Sequence, residues 1–487
     1  MSSERLVGVS STTATIIARA GVERAELEHA LPADCSLAPL FDDERDPRLA
    51  PFYRAISAAS QPGPTSHFDF AKGLLDAVQD LASDVVPHHL YRLKQGSATN
   101  PKDPQASEPA WSLKAIDCDA AWAIPPKDPK RYNPAGEYAP GDGILIGHPD
   151  TGYTDHFALK GAVRDDLGWD FFDNDDDETE RIEDIKRAER WLNRGHGTTT
   201  GSIIVGPRGD KMSGVAPGAR LVPLRIADRV WHAYDVNLAR AIRHATNQGC
   251  HVISMSFGGL YFEAAEAAIN LAIREGIIVL AAAGNYLKVP MWPARYPAVI
   301  AVAATNVRGE PWAGSCRGDA VFAAAPGENV WAAGFVDGTA EVIQHCGTSE
   351  ATAAVAGIAA LWLAHWGPER IAGAVHGTAN IQNAFRSAVE IACASVRPAV
   401  AGMGVGVVNA KRVLEVPLDQ LRPKALRDEL YRRPPIRELY AVADDDPSYF
   451  ARAGRGGRLL NTYNLPIDLT TREQAFQMML RRQAAED

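Results

Sequence analysis

The sequence predicts an α/β protein: a predominantly parallel β-sheet flanked by helices, with a small N-terminal region and a helical C-terminal appendage. Three observations predict it. From about Ala110 onward, short continuous apolar runs alternate with longer segments whose apolar residues recur at helical spacing. Strands that are apolar along their whole length need cover on both faces, and a parallel sheet with crossover helices provides it. Ahead of that region, residues 95–109 are rich in Pro, Ser, Asn and Lys and read as a linker, which sets residues 1–94 apart. Beyond about Leu414 the chain turns charged and Arg-rich, so residues 417–487 read as a separate helical appendage to a central domain of residues 110–416.

The elements follow in order. Asp69 to Leu81 is an amphipathic helix in the N-terminal region. Gly143 to His148 is a buried strand ending at Asp150, and Thr198 to Val205 is a helix opening just after His196. Leu221 to Ile226 is a strand. Asn237 to Gln248 is a helix, with Leu238, Ala241, Ile242 and Ala245 on one face and Gly249 closing it. Val252 to Phe257 is a strand, and Glu263 to Glu275 is a helix closed by Gly276. Ile277 to Ala283 and Val299 to Ala304 are strands, and Glu350 to Ala364 is an apolar helix. In such sheets, sites form at the carboxyl ends of the strands. Asp150 and Asn285 both follow strands.

Composition narrows the function. A chain of 487 residues can bury a large core in two or three domains. A net charge of -10, with no long basic run, argues against nucleic acid or anionic membrane as a partner. No run of about 18 apolar residues exists, so no membrane span is expected. Cys35, Cys118, Cys250, Cys316, Cys346 and Cys393 are scattered without a dense pattern, which fits reduced thiols. The N-terminus lacks a continuous apolar h-region, so a cytoplasmic location is expected. Oligomeric state is not legible.

Three short stretches carry chemistry: Asp150-Thr151-Gly152, His196-Gly197-Thr198 and Gly347-Thr348-Ser349. A serine hydroxyl is a poor nucleophile at neutral pH and needs a base within reach, and that base needs an orienting carboxylate. Taken singly, Ser349 reads as a helix N-cap, His196 as a turn histidine and Asp150 as an Asx-turn at a strand end. Together, in the order Asp, His, Ser, they read as a catalytic triad.

Several further segments surround them. Trp111, Leu113, Ile116, Ala121 and Trp122 open the central domain. Trp169-Asp170-Phe171, Gly214-Val215-Ala216-Pro217 and Ser256-Phe257-Gly258-Gly259 follow. Then come Ala281 to Asn285, Tyr296 to Val302 and Ala325-Pro326-Gly327. With the three triad motifs, this series resembles the subtilisin-like serine peptidases, the subtilase family, over roughly residues 111–414. The resemblance implies a subtilisin-like fold and an endopeptidase that works through an acyl-enzyme on polypeptide substrates. It implies Ser349 as nucleophile, His196 as general base and then acid, and Asp150 as the residue that orients the imidazole. It further implies Asn285 as an oxyanion donor and Ser256, Phe257 and Gly258 as a strand that pairs with extended substrate.

The chain departs from the family pattern at two places. Glu350-Ala351-Thr352-Ala353 stands where the family has Met-Ala-x-Pro, and Thr199-Thr200-Gly201-Ser202 stands where it has His-Val-Ala-Gly. Glu350 either points to solvent at a helix start or approaches His196 and tunes its charge. Cys346, three residues before Ser349, is either a buried inert thiol or a point where an adduct blocks the cleft. The insert from Glu180 to Arg194 is charged, reads as helical and lies where it could gate the cleft. No cofactor is required by this chemistry. Asp173 to Glu178 offers oxygen ligands for a structural Ca²⁺, although a solvated acidic loop is the plainer reading. Residues 1–94 carry a stretch, Val85 to Leu93, that loosely resembles the end of a subtilase propeptide. Two further functions stay open: a dedicated processing peptidase for one partner protein, and a catalytically inactive peptide-binding scaffold.

Overall fold

The computed structural model describes residues 12–41, 46–57, 66–87, 104–180, 195–209, 212–228, 236–259, 261–285, 290–336, 338–394 and 400–422. The insert at 181–194, the segment 88–103 and residues 423–487 lie outside them. So do most of the readings made for the linker, the propeptide-like tail and the appendage.

The N-terminal region contains more than the one helix its sequence suggests. Strands β1 (Thr12–Ala18), β2 (Cys35–Pro39), β3 (Phe52–Ser57) and β4 (Ala82–Pro87) form an antiparallel sheet in the order β2-β3-β1-β4. Helices α1 (Arg24–Ala30) and α2 (Ser66–Val78) accompany it. Side chains alternate across a strand. Ala14, Ile16 and Ala18 pack with Leu27 of α1 and with Ala71, Leu74 and Val78 of α2. Ile17, Phe52 and Val86 belong instead to a buried cluster of the central domain.

The central domain begins with α3 (Trp111–Ala115) and α4 (Cys118–Trp122). Its strands are β5 (Leu145–Asp150), β6 (Trp169–Asp170), β7 (Arg220–Arg225), β8 (Val252–Met255), β9 (Ile278–Ala282), β10 (Ile300–Thr305) and β11 (Val321–Pro326). All seven are parallel, in the order β11-β10-β9-β8-β5-β7-β6. The crossover helices are α5 (His196–Val205), α6 (Val236–Asn247) and α7 (Glu263–Arg274). A hairpin of β12 (Val330–Val336) and β13 (Thr339–His345) precedes α8 (Thr348–Trp366). Helices α9 (Pro368–Ala374), α10 (Ile381–Cys393) and α11 (Ala410–Glu415) close the domain.

Alternation along the strands builds two cores. Ile146, Leu221, Val252, Ile278, Leu280, Ile300 and Val302 pack with residues of α5 and α8. Val222, Leu224, Ile253, Met255, Val279 and Ala301 pack with α6 and α7. The second core also takes in Ile17, Phe52 and Val86, so the N-terminal sheet is seated on the α6–α7 side. Every residue of α8 is buried. A helix that is apolar all round belongs in a core, and its small residues let neighbours approach closely. A Cβ at Gly357 would fall 2.5 Å from Val215 Cβ. Gly357→Ala would therefore overpack the interface, at a cost of about 1–3 kcal/mol.

Candidate active site

Asp150 is the last residue of β5 and is fully buried. His196 is the first residue of α5, and two glycines let it approach. Gly195 adopts φ +79°, a left-handed backbone that favours glycine. A Cβ at Gly197 would lie 1.9 Å from Gly152 O, so the helix start can close on the Asp150 loop only without a side chain there. The result is a 2.7 Å hydrogen bond between His196 Nδ1 and Asp150 Oδ1. A carboxylate only accepts, so Nδ1 carries the hydrogen and Nε2 keeps its lone pair. The Thr151 N–H donates to the same oxygen at 2.7 Å. Thr151 Oγ1 in turn accepts from Gly197 N–H at 3.1 Å and donates to Glu180 Oε2 at 2.8 Å. Glu180 Oε2 also accepts from Gly195 N–H at 2.9 Å. Its buried carboxylate thus ties the acid loop to the base loop.

Ser349 lies in the first turn of α8 and is 7% exposed. Helix N-termini favour developing negative charge. Within the described residues Ser349 Oγ makes no hydrogen bond to His196; contacts of this type often tighten only with substrate bound. Asn285 follows β9 and is held by its carbonyl. Asn285 Oδ1 accepts from the Thr348 N–H and from Thr348 Oγ1, both at 2.9 Å, while Thr348 Oγ1 accepts from Gly284 N–H at 3.0 Å. That fixes the amide so that Nδ2 points elsewhere. Nδ2 lies 3.2 Å, and the Ser349 backbone N 3.5 Å, from where a Cβ of Gly347 would sit. Two donors therefore border one small space beside the serine.

Charge in this group is strongly coupled. Burial pushes the Asp150 carboxyl up, but the His196 charge and hydrogen bond, with help from His148 and the Thr151 N–H, hold it below its usual range. Burial lowers His196, and the charge and hydrogen bond of Asp150, then Glu350 and Glu180, raise it above its ordinary value. Glu350 is 4% exposed, so the solvent-facing reading of this residue does not hold. Burial raises its carboxyl against the pull of His196. His345, at the end of β13, is pushed down to about 4 by burial and by His196. Cys346 is held by Asn329, whose N–H donates to Sγ at 3.1 Å, and burial pushes its thiol up to about 11. The inert reading of that cysteine is the one the structure favours.

A sequence profile of the subtilase family matches residues 141–396. Thermitase from Thermoactinomyces vulgaris is 32% identical over 266 residues, 54% of this chain and 84% of thermitase. The chain belongs to the subtilase family. It thereby stands among the subtilisin-like serine endopeptidases. A thermostable alkaline protease of Halalkalibacterium halodurans is 37% identical over 172 residues, 35% of this chain and 47% of that protein. Among solved structures, fervidolysin of Fervidobacterium pennivorans, a keratinolytic enzyme related to subtilisin, superposes with a TM-score of 0.58. That match, at 19% identity over 84% of this chain and 61% of fervidolysin, shows the shared subtilisin-like fold.

Of the remaining expected residues of this subtilase, Ser256 is the one in contact with Ser349. Ser256 to Gly258 continue β8 beyond Met255, and Ser256 Oγ lies 3.5 Å from Ser349 O. Phe257 is buried in the α6–α7 core. In the acidic loop, Asp170 and Asp173 both pair with Arg225, and Asp175 and Asp177 accept local backbone N–H groups. Sequence reasoning names Thr348 and Thr200 only within motifs, Glu180 only as the start of an insert and His148 only as a strand residue, and assigns none of the four its contact in the site. His148 does carry a signal, a polar residue on an otherwise apolar strand.

Proposed function

We propose that this subtilase cleaves polypeptides with Asp150, His196 and Ser349 as its triad and Asn285 as an oxyanion donor. The observation that carries the reading is the buried 2.7 Å Asp150–His196 pair, set beside a helix start that bears Ser349. Ser349 Oγ attacks the scissile carbonyl carbon and gives its proton to His196 Nε2. Asp150 stabilises the imidazolium that forms. Negative charge on the carbonyl oxygen falls between Asn285 Nδ2 and the Ser349 N–H. Collapse expels the amine, which takes the proton from His196, and leaves an acyl-enzyme. Water, deprotonated by His196, then attacks the acyl carbon; the bond to Ser349 Oγ breaks, Oγ takes the proton back from His196, and the acid is released. Substrate enters extended, against the backbone of Ser256 to Gly258.

An inactive peptide-binding scaffold has no use for an ionised carboxylate buried behind a histidine, whose desolvation is costly. The six cysteines are free thiols, which supports a reducing, cytoplasmic setting. We read the N-terminal sheet on the α6–α7 side as an inhibitory prodomain, since it already covers one face of the peptidase domain. Incubating the full chain with a peptide library and reading new termini by mass spectrometry tests the function. Cleavage that disappears in Ser349→Ala is expected; equal cleavage by both proteins would sink the reading.

A further inference from the structure

The two oxygens of the Asp150 carboxylate are served unequally. Oδ1 takes the Thr151 N–H and His196 Nδ1, both at 2.7 Å. Oδ2 is met by the Thr200 hydroxyl at 3.4 Å and by His148 Nε2 at 3.7 Å. His148 Nε2 itself lies 3.0 Å from Thr200 Oγ1. Both residues are buried, at 2% and 0% exposure, so bulk water cannot stand in for these contacts.

Sequence position explains the meeting. On β5, Ile146, His148 and Asp150 share one face by the two-residue period, and that face turns toward α5. On α5, Thr200 stands one turn after His196 and on the same side of the helix. Thr200 occupies the place where the subtilase pattern has Val. A hydroxyl buried there costs free energy unless it is bonded, and an imidazole on an apolar strand costs more. Here each satisfies the other, and both aim at the carboxylate oxygen that His196 does not use.

We propose that His148 and Thr200 are a buried pair of positioning residues. Neutral His148 donates from Nε2–H to Thr200 Oγ1, and the Thr200 hydroxyl donates to Asp150 Oδ2. The carboxylate that orients His196 is thus held from behind. Thr200 Oγ1 also lies 3.0 Å from His196 O, but a charged carboxylate is the stronger acceptor. Burial holds the His148 ring toward its neutral form, against the pull of Asp150. The ionisable groups facing Asp150 and His196 are His148, Glu180, Glu350 and His345.

The consequence has a sign. Donors on Asp150 spread its charge and lessen its hold on the His196 proton. Removing them strengthens that hold and loosens the orientation of the ring. This rests on Asp150 and His196 being the orienting pair, so the test has an arm that needs no turnover. In the full chain, the His196 imidazole is titrated by ¹⁵N NMR in wild type, Thr200→Val, Thr200→Ser, His148→Leu and the double variant Thr200→Val/His148→Leu, with kcat and KM measured beside it.

Thr200→Val, near in volume to threonine, is expected to raise the His196 pKa by about half a unit, roughly threefold in its ionisation constant. It should lower kcat about threefold to tenfold with KM unchanged. Thr200→Ser should restore both. The double variant should lose no more than the worse single, because the two residues act as one unit. An unmoved His196 titration in folded Thr200→Val, or losses that add, would overturn the proposal. A wild type without turnover would count against the peptidase reading, while the NMR arm would still decide the pair.

Discussion

A single methyl group at Gly347 tests the oxyanion geometry. Gly347 precedes α8 with φ 175° and ψ 165°, an extended backbone that any residue adopts. Gly347→Ala therefore carries no backbone strain, and its effect comes from the methyl alone. That methyl would lie 2.5 Å from Glu350 Oε2, 3.2 Å from Asn285 Nδ2 and 3.5 Å from the Ser349 N. The first contact is too close to survive, so the buried Glu350 carboxyl has to shift. Overpacking of this size destabilises by about 1–3 kcal/mol, which the full chain should tolerate. The methyl also enters the space between the two donors. Losing one oxyanion-hole donor costs about 10²–10³ in kcat. The expected result is a folded protein with kcat lowered by about that factor and KM nearly unchanged. The assay is steady-state cleavage of a chromogenic peptide, with a thermal melt to establish folding. A folded Gly347→Ala variant with wild-type kcat would refute the placement of the oxyanion beside Gly347.

Glu350→Gln should move the acidic limb of kcat/KM to lower pH. The Glu350 charge helps to raise His196, so its removal lets the imidazole lose its proton sooner. A limb that stays in place would show that this charge does not reach His196. Cys346 should resist maleimide at pH 7, because its thiol is pushed up to about 11. Peptide mapping after treatment should find Cys346 unmodified and activity retained; loss of activity in wild type but not in Cys346→Ser would contradict this. The N-terminal region should be released by self-cleavage, giving a wild-type N-terminus between about residues 94 and 110 and an intact Ser349→Ala chain. Full-length, already active wild type would exclude an inhibitory prodomain.

Five of the seven central strands are legible in the sequence because they are continuous apolar runs; β6, only two residues long, and β11 are not read from it. Ile278–Ala282 and Ile300–Thr305 are buried at every position, as their composition suggests. The helix read at Glu350 to Ala364 is α8, which the structure starts two residues earlier, at Thr348, and ends at Trp366. The N-terminal sheet is not. Its strands are short, β2 ends on a proline, and β1 pairs with two partners distant in sequence, which no local pattern specifies. The β12–β13 hairpin does carry a signal, Asp337-Gly338 between two strand-like runs. At the site, Asp150, His196, Ser349 and Asn285 stand out by their flanking glycines and threonines. The orientation of Glu350 cannot be read locally. An acidic residue at a helix start ordinarily faces water, and only the burial of α8 on all sides turns it inward.

Labelling with a fluorophosphonate probe tests the account most directly, since only an activated serine reacts. The full-length chain is treated with the probe and the adduct located by peptide mass spectrometry. The account predicts one adduct, on Ser349, which is lost in Ser349→Ala and strongly suppressed in His196→Ala, with both variants folded. Folded wild-type protein that takes up no probe, or that carries it on another serine, would contradict the assignment of Ser349 as the nucleophile.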